Sequence, residues 1–145
     1  MKRFTILALL VAMFTMGIQA RGKQPIVFNK LPEAVQTEVK KNFTEDQIHF
    51  ITSQRIMPRR YMYVFTLADN TQFKYDNKAR LKKINSPAGV PEALLPEEIK
   101  TYVANTFPNT IITEYEPEML SQKVKLDEKM TLIFSKKGKF IRIDD

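Results

Sequence analysis

The sequence predicts an α+β protein in which one unit, a helix followed by about four antiparallel strands, occurs twice. A helical spacing recurs at a constant offset of 64 residues, where Leu31, Val35, Val39 and Phe43 are matched by Leu95, Ile99, Val103 and Phe107. An alternating strand pattern recurs at an offset of 59, where Leu67, Phe73, Tyr75, Leu81 and Ile84 are matched by Leu126, Leu132, Phe134, Phe140 and Ile143. Self-similarity of this kind is the signature of a tandem repeat.

A secretory signal peptide is expected over residues 1–20. Lys2 and Arg3 precede an apolar run from Phe4 to Met16, and the small residue Ala20 suits a cleavage site. The run is shorter than the roughly 20 residues of a membrane span, although an uncleaved N-terminal anchor is the alternative. The chain contains no cysteine. Acylation at a lipoprotein cleavage site needs one, so we expect a periplasmic protein that is not a lipoprotein and has no membrane span after cleavage.

Cleavage at Ala20 leaves residues 21–145, a length that suits one domain held together by its hydrophobic core rather than by disulfides. We expect two repeats within it, at about 27–85 and 90–145, joined around residues 85–89. The full chain carries a net charge of +7, and loss of Lys2 and Arg3 reduces it to +5. This moderate excess mildly favours anionic partners and is far from a nucleic-acid-binding signature.

Each repeat opens with a predicted helix whose apolar residues are four apart and therefore share one face. Pro32 and Pro96 suit the first helical position, where the missing N–H costs nothing, and Pro108 ends the second helix. Residues 90–93 resemble the start of the first helix and are expected to form an extra turn ahead of the second.

Strands are expected after each helix. In the first repeat they cover residues 48–56, 61–67, 72–76 and 80–84, and in the second 111–115, 122–126, 130–134 and 140–143. Alternation places the more apolar rows beneath the helices. No helix remains to cover the other side. That side is therefore expected to be an open sheet surface, polar and basic, with a few apolar spots.

Ordered motifs connect this pattern to a known family. The second repeat contains Leu95-Pro96, Phe107-Pro108, Val124, Leu126, Phe134, Lys137-Gly138 and Ile143-Asp144-Asp145. In this order, and with their repetition over residues 27–145, these features resemble the bacterial PepSY-like, beta-lactamase-inhibitor-like family of periplasmic proteins. The resemblance implies a tandem-repeat α+β fold with helices on one face of a curved antiparallel sheet, whose exposed side is available to partners. It implies no settled activity.

The sequence departs from the family pattern at several positions. Asn70-Thr71 and Glu128-Lys129 stand where the family often has Asn-Gly or Asp-Gly turns. Ala79 stands where the second repeat has Gly138, and Gln122 where an aromatic residue is typical. These changes affect the turns rather than the expected fold.

Catalytic and metal-binding motifs are not evident, and we expect neither enzyme activity, nor a cofactor, nor a metal site. His49 is the one histidine, and a lone histidine without cysteine cannot build a typical zinc site. No serine stands in a Gly-x-Ser-x-Gly elbow, and no Gly-rich phosphate loop is found. Glu114, Glu116 and Glu118 alternate onto one side of a strand or loop. Paired acids of this kind could serve a glycosidase-type or calcium-binding role, but we interpret the run as a solvated edge that discourages strand pairing.

The open face supplies the candidate binding residues. These are Arg60, Met62, Val64, Lys74, Lys123, Lys125 and Ile133. Apolar side chains ringed by charge are typical of protein-binding surfaces, although exposed lysines also simply keep a sheet soluble. The primary hypothesis is a periplasmic module that binds an envelope protein through this face. The alternative is a carrier of a small anionic ligand or peptide in a cleft between the repeats, and the sequence leaves the oligomeric state open.

Overall fold

The computed structural model describes residues 22–144 as two helices packed on one nine-stranded sheet. The expected signal peptide lies outside the described residues. The helices are α1 (Glu33–Lys40) and α2 (Glu97–Thr106). The strands are β1 (Lys23–Pro25), β2 (Ile48–Met57), β3 (Arg60–Leu67), β4 (Gln72–Asp76), β5 (Leu81–Asn85), β6 (Ile112–Pro117), β7 (Ser121–Leu126), β8 (Met130–Ser135) and β9 (Phe140–Asp144).

The strands lie in the sheet in chain order, and every neighbouring pair is antiparallel. β5 of the first repeat pairs with β6 of the second through Ile84↔Tyr115 and Asn85↔Glu114. Hydrogen bonds from the Ser86 N–H to the Thr113 carbonyl and from the Val90 N–H to the Ile112 carbonyl, each 2.8 Å long, continue this junction. The two repeats therefore form one continuous sheet.

The helices pack against one face of the sheet, as the four-residue spacing predicts. Val35, Val39, Ile99 and Val103 are buried and meet the apolar rows of the strands. In the first repeat Phe43 stacks on Phe73 at 4.3 Å between ring centroids, and Phe65 stacks on Phe73 at 4.8 Å. Full burial of a side chain of this size contributes about 1.5–3 kcal/mol. The α+β class and the face assignment are thus confirmed.

Several turns between strands contain residues other than glycine in left-handed backbone. Asp127 and Glu128, between β7 and β8, have φ values of 49° and 58°. Ala79 has a φ of 62° where the equivalent Gly138 has 88°. The departures from Gly in these turns therefore leave the hairpins intact, at a cost that a Cβ atom imposes in this region.

Some short elements carry too little pattern to be predicted. β1 pairs with β2 at one sheet edge, and 3-10 turns precede α1 and β2. The extra turn expected ahead of the second helix is present as the 3-10 helix Glu92–Leu94.

β6 is a central strand between β5 and β7, so the interpretation of Glu114–Glu118 as a solvated sheet edge is wrong.

Candidate interaction surface

The seven candidate residues all project from the face of the sheet opposite the helices, on β3, β4, β7 and β8. Cross-strand pairing brings Val64 beside Lys74 in the first repeat and Lys123 beside Ile133 in the second. Arg60 lies at the β2–β3 turn, where its side chain is exposed. The structure thus gathers the candidates into two groups on one face, separated by β5 and β6.

Two of the apolar side chains that were expected to be exposed on this face are buried. Val64 is 6% exposed and Ile133 is 4% exposed. Ile133 lies between Lys123 and Arg142 in the sheet, and long side chains beside it cover apolar surface with their aliphatic stems. The prediction of exposed apolar side chains at these two positions is therefore wrong, and Met62 is only half-buried.

An acid–base network bridges the two groups at the junction between repeats. Lys83 of β5 contacts the carboxylate of Glu114 and, at 3.5 Å, that of Glu116, both on β6. Burial alone would lower the pKa of Lys83, but its hydrogen bond to Glu114 and the two negative charges outweigh burial and raise it. Pairing places Glu114 beside Lys125 and Glu116 beside Lys123. The face is therefore mixed in charge rather than uniformly basic.

Sequence reasoning missed Lys83 because the ion pair joins strands of different repeats, 31 positions apart in the case of Glu114. The alternation of Glu114 and Glu116 was the available signal, since alternate residues of a strand share one face. The alternation does not show which strand lies beside Glu114 and Glu116, so it could not indicate Lys83.

The three candidate lysines differ in their partners. Lys123 forms a 2.9 Å ion pair with Glu118, and this hydrogen bond raises the pKa of Lys123 and lowers that of Glu118. No ion pair to Lys74 or Lys125 is found within residues 22–144. The positive charges of Lys74 and Lys125 are therefore available to a binding partner.

Asp76 organises the turn between β4 and β5. Asp76 is 7% exposed, and its carboxylate accepts hydrogen bonds from the Lys78 N–H, the Arg80 N–H and the Arg80 Nε, at 2.8–2.9 Å. Burial would raise the pKa of Asp76, but these hydrogen bonds and the Arg80 charge lower it below its ordinary value. Both oxygens of the Asp76 carboxylate thus hold this turn in place.

Arg80 and Lys82 also line a basic groove of about 310 Å³ at the β2–β3 and β4–β5 turns, together with Arg59, Arg60 and Lys78. The groove lies in the first repeat. Where the repeats meet, β5 and β6 are hydrogen-bonded, so a ligand cleft at the level of the sheet is closed there.

The remaining candidate chemistry is not assembled into a site. His49 is exposed and lies edge-on to the Phe50 ring at 5.7 Å. Within residues 22–144, no group of three His, Cys, Asp or Glu side chains is placed to hold a metal ion. Glu114 and Glu116, which could have served as paired acids, are held by Lys83.

Comparison with known protein families shows which family this chain belongs to. The family described as "Putative beta-lactamase-inhibitor-like, PepSY-like" matches this chain twice, over residues 18–83 and 82–142. The chain belongs to this PepSY-like family. The double match is the tandem repeat that the constant offsets predict. No curated protein matches the chain.

Solved structures from Bacteroides share the PepSY-like fold. A "putative calcium-regulated periplasmic protein" from Bacteroides thetaiotaomicron is 22% identical, with a TM-score of 0.75 over 85% of this chain and 97% of its own. A "putative periplasmic protein" of the DUF2874 family from Bacteroides vulgatus is 25% identical, with a TM-score of 0.73 over 89% of this chain and 100% of its own. A second Bacteroides vulgatus periplasmic protein, of unknown function, is 21% identical with a TM-score of 0.75, over 86% and 100% of the two chains.

Neither helix of the described part of this PepSY-like chain has the length and apolar character that a membrane crossing requires.

Proposed function

We propose that this PepSY-like chain is an exported, non-catalytic binding protein of the periplasm, and that it engages a protein partner through the uncovered face of its sheet. One observation carries the proposal. The helices cover a single face, and the opposite face bears Lys74 and Lys125 without carboxylate partners in residues 22–144. The periplasmic descriptions of the Bacteroides structures and the apolar N-terminal segment support the location.

The mixed charge of the face indicates what kind of partner would fit. The two central carboxylates share one cation, Lys83, whereas the free lysines lie on either side of them. A complementary surface would carry carboxylates opposite Lys74 and Lys125 and would leave the Lys83 network undisturbed. Such complementary charges steer association and fix its register more than they add affinity.

The test is affinity capture with residues 21–145, using envelope extract, cross-linking and mass spectrometry, followed by titration with the purified partner. The informative variant carries Lys74→Glu and Lys125→Glu. Its matched control carries Lys30→Glu and Lys40→Glu, which reverse the same charge at exposed positions in the 3-10 turn before α1 and on α1 itself, on the helix side of the sheet. We expect the first pair to weaken binding about tenfold or more and the control to bind as wild type. Equal binding by both would reject this face.

A small anionic ligand or peptide is the second candidate, favoured by the basic groove at the β2–β3 and β4–β5 turns. Arg59, Arg60 and Lys78 have no ion-pair partner within residues 22–144, whereas Asp76 holds Arg80. A thermal-shift screen of anions against wild type and an Arg59→Glu, Lys78→Glu variant tests this role. A flat response in wild type would remove it without touching the protein-binding proposal.

A further inference from the structure

Ile84 and Ile143 occupy equivalent positions in the two repeats but differ in exposure. Ile84 on β5 is 0% exposed, whereas Ile143 on β9 is 45% exposed. β5 is covered on its outer side by β6, while β9 is the last strand in the sheet order of the described residues. β5 and β9 are therefore equivalent strands, but in the described part of the chain only β5 has a neighbour on its outer side.

The covered junction shows what an added strand must supply. Tyr115 of β6 lies opposite Ile84 on the helix side, and Glu114 and Glu116 reach Lys83 on the other side. The strand that β5 accepts is thus antiparallel and carries an aromatic residue flanked by two carboxylates. Backbone pairing gives affinity at such an edge, and alternate side chains give specificity.

β9 presents the same features at the equivalent positions. Ile143 pairs with Leu132 on the helix side, and Arg142, the counterpart of Lys83, pairs with Ile133 on the open face. The Arg142 side chain is 61% exposed, and its nearest acidic neighbour in the described chain is Asp144 at 3.8 Å. An incoming carboxylate would therefore find an accessible guanidinium.

An apolar groove adjoins this edge between α2 and the start of β9. Its volume is about 660 Å³, and Tyr102 and Phe140 form its apolar part. The rest of the lining is polar or charged and comprises Glu97, Glu98, Thr101, Asn105, Gly138 and Lys139, so the groove suits an uncharged side chain of the added strand rather than one of its carboxylates. The rings of Tyr102 and Phe140 stack at 4.8 Å between centroids and form an apolar wall. A side chain from an added strand could enter here, since in β-strand addition pockets for alternate side chains give specificity.

We propose that the outer edge of β9 docks an extended segment of another protein as a tenth, antiparallel strand. The segment carries an aromatic residue that packs on Ile143 and flanking carboxylates that bind Arg142. This site lies on the sheet edge and goes beyond the proposed function, which uses the sheet face.

A second copy of this chain fits the edge less well than an acidic segment. Phe140, the aromatic residue of β9, is flanked by Lys139 and Ile141 rather than by carboxylates. Pairing of two β9 strands would also bring two Arg142 guanidinium groups to the same face, where like charges repel. At the opposite edge, β1 is three residues long and contains Pro25.

The probe is the chain's own β6 sequence, a fluorescent peptide of residues 111–117, titrated into residues 21–145. We expect saturable binding, with slowed hydrogen exchange confined to the amides of residues 140–144. Peptides with Tyr115→Ala, or with Glu114→Gln and Glu116→Gln, should bind about tenfold more weakly. No binding at about 1 mM peptide, or protection outside β9, would overturn the proposal.

Matched variants of the protein separate the edge from general effects. Arg142→Glu and Ile143→Asp should each weaken the peptide about tenfold. Arg55→Glu and Ile56→Asp alter a similar exposed Arg–Ile pair on β2 and should leave binding unchanged. Circular dichroism verifies folding, and high salt should weaken binding to wild type but not to Arg142→Glu. A dimer in sedimentation that Ile143→Asp dissociates would assign the edge to a second copy and reject the partner proposed here.

Discussion

A Cβ atom placed on Gly138 would lie 2.7 Å from the Cβ of Glu98, so the β8–β9 turn is pressed against the first turn of α2. Gly138 also has a φ of 88°, in the region that favours glycine. In the first repeat the equivalent pair is Ala79 and Ala34. The first repeat thus has alanine both on the helix and in the turn. The second repeat has the larger Glu98 on the helix and glycine in the turn.

Gly138→Ala is therefore expected to lower the free energy of unfolding by about 2–4 kcal/mol, from steric contact and left-handed strain together. Urea denaturation measures the change. Gly22→Ala serves as the control, because a Cβ there meets nothing within 4 Å and should have little effect. Glu98→Gly removes the Cβ at 2.7 Å, so Gly138→Ala should cost less in a Glu98→Gly background than in wild type, and an equal cost in both backgrounds would contradict the steric cause.

Tyr115 and Gln122 form a hydrogen-bonded pair at positions where the first repeat has an aliphatic and an aromatic residue. The Tyr115 hydroxyl donates a 2.6 Å hydrogen bond to the Gln122 Oε1, and the Gln122 Nε2 donates to the Ser135 carbonyl at 3.0 Å. The equivalent positions are Ile51 and Tyr63, so the second repeat places its aromatic ring on the neighbouring strand. This arrangement explains how Gln122 can be only 7% exposed.

Tyr115→Phe should lower the free energy of unfolding by about 1–3 kcal/mol, because Gln122 loses a donor in a buried place. The double variant Tyr115→Ile, Gln122→Tyr copies the first repeat and should be more stable than the sum of its single changes predicts. A double-mutant cycle by chemical denaturation measures the coupling energy. Simple additivity would argue that the two side chains do not act as a pair.

Asp76 should contribute to stability in a pH-dependent way. Hydrogen bonds hold the pKa of its carboxyl below its ordinary value of 3.8 in the folded state, so the unfolded state binds the proton more readily. The contribution is complete above pH about 4 and is lost as pH falls through the folded-state pKa.

Asp76→Asn should therefore cost about 1–3 kcal/mol at pH 7 and clearly less near pH 2.5. Urea unfolding at the two pH values gives the comparison. Asp46→Asn, at an exposed position, is the control and should change little at either pH. A cost for Asp76→Asn that does not vary with pH would mean that the negative charge is unimportant.

Lys83 should stabilise the junction between the repeats. Lys83→Met leaves Glu114 and Glu116 without their shared cation, and the expected cost is about 1 kcal/mol at low salt. Screening should reduce this cost at about 1 M salt. Glu114→Gln added to Lys83→Met should restore stability in part, as measured by thermal unfolding, whereas a further loss would contradict the ion-pair interpretation.

Local patterns were sufficient to predict most of the fold. The four-residue spacing beginning at Leu31 and Leu95 specified both helices, and alternation specified eight of the strands and the face that each side chain occupies. These features depend on the periodicities of the helix and the strand, which a single segment reveals. β1 escaped prediction because a three-residue strand ending at Pro25 has too little pattern to recognise.

The candidate surface was predicted less completely, because burial depends on neighbours that are distant in sequence. The sequence placed Val64 and Ile133 on the correct face, but cross-strand lysines and Arg142 decide how much of them solvent reaches. In the same way, alternation placed Glu114 and Glu116 together, while their pairing with Lys83 required the strand order.

By itself the sequence determined the tandem α+β repeat, the faces of its strands and the expectation of export, since these follow from local periodicity and composition. Only the tertiary structure decided that the repeats join into one sheet through β5 and β6, and that no strand within residues 22–144 pairs with the outer side of β9. Equivalent sequences can differ in this way because exposure is set by the neighbouring strand. Ile84 and Ile143 come from the same repeat pattern, and only Ile84 has Tyr115 to cover it.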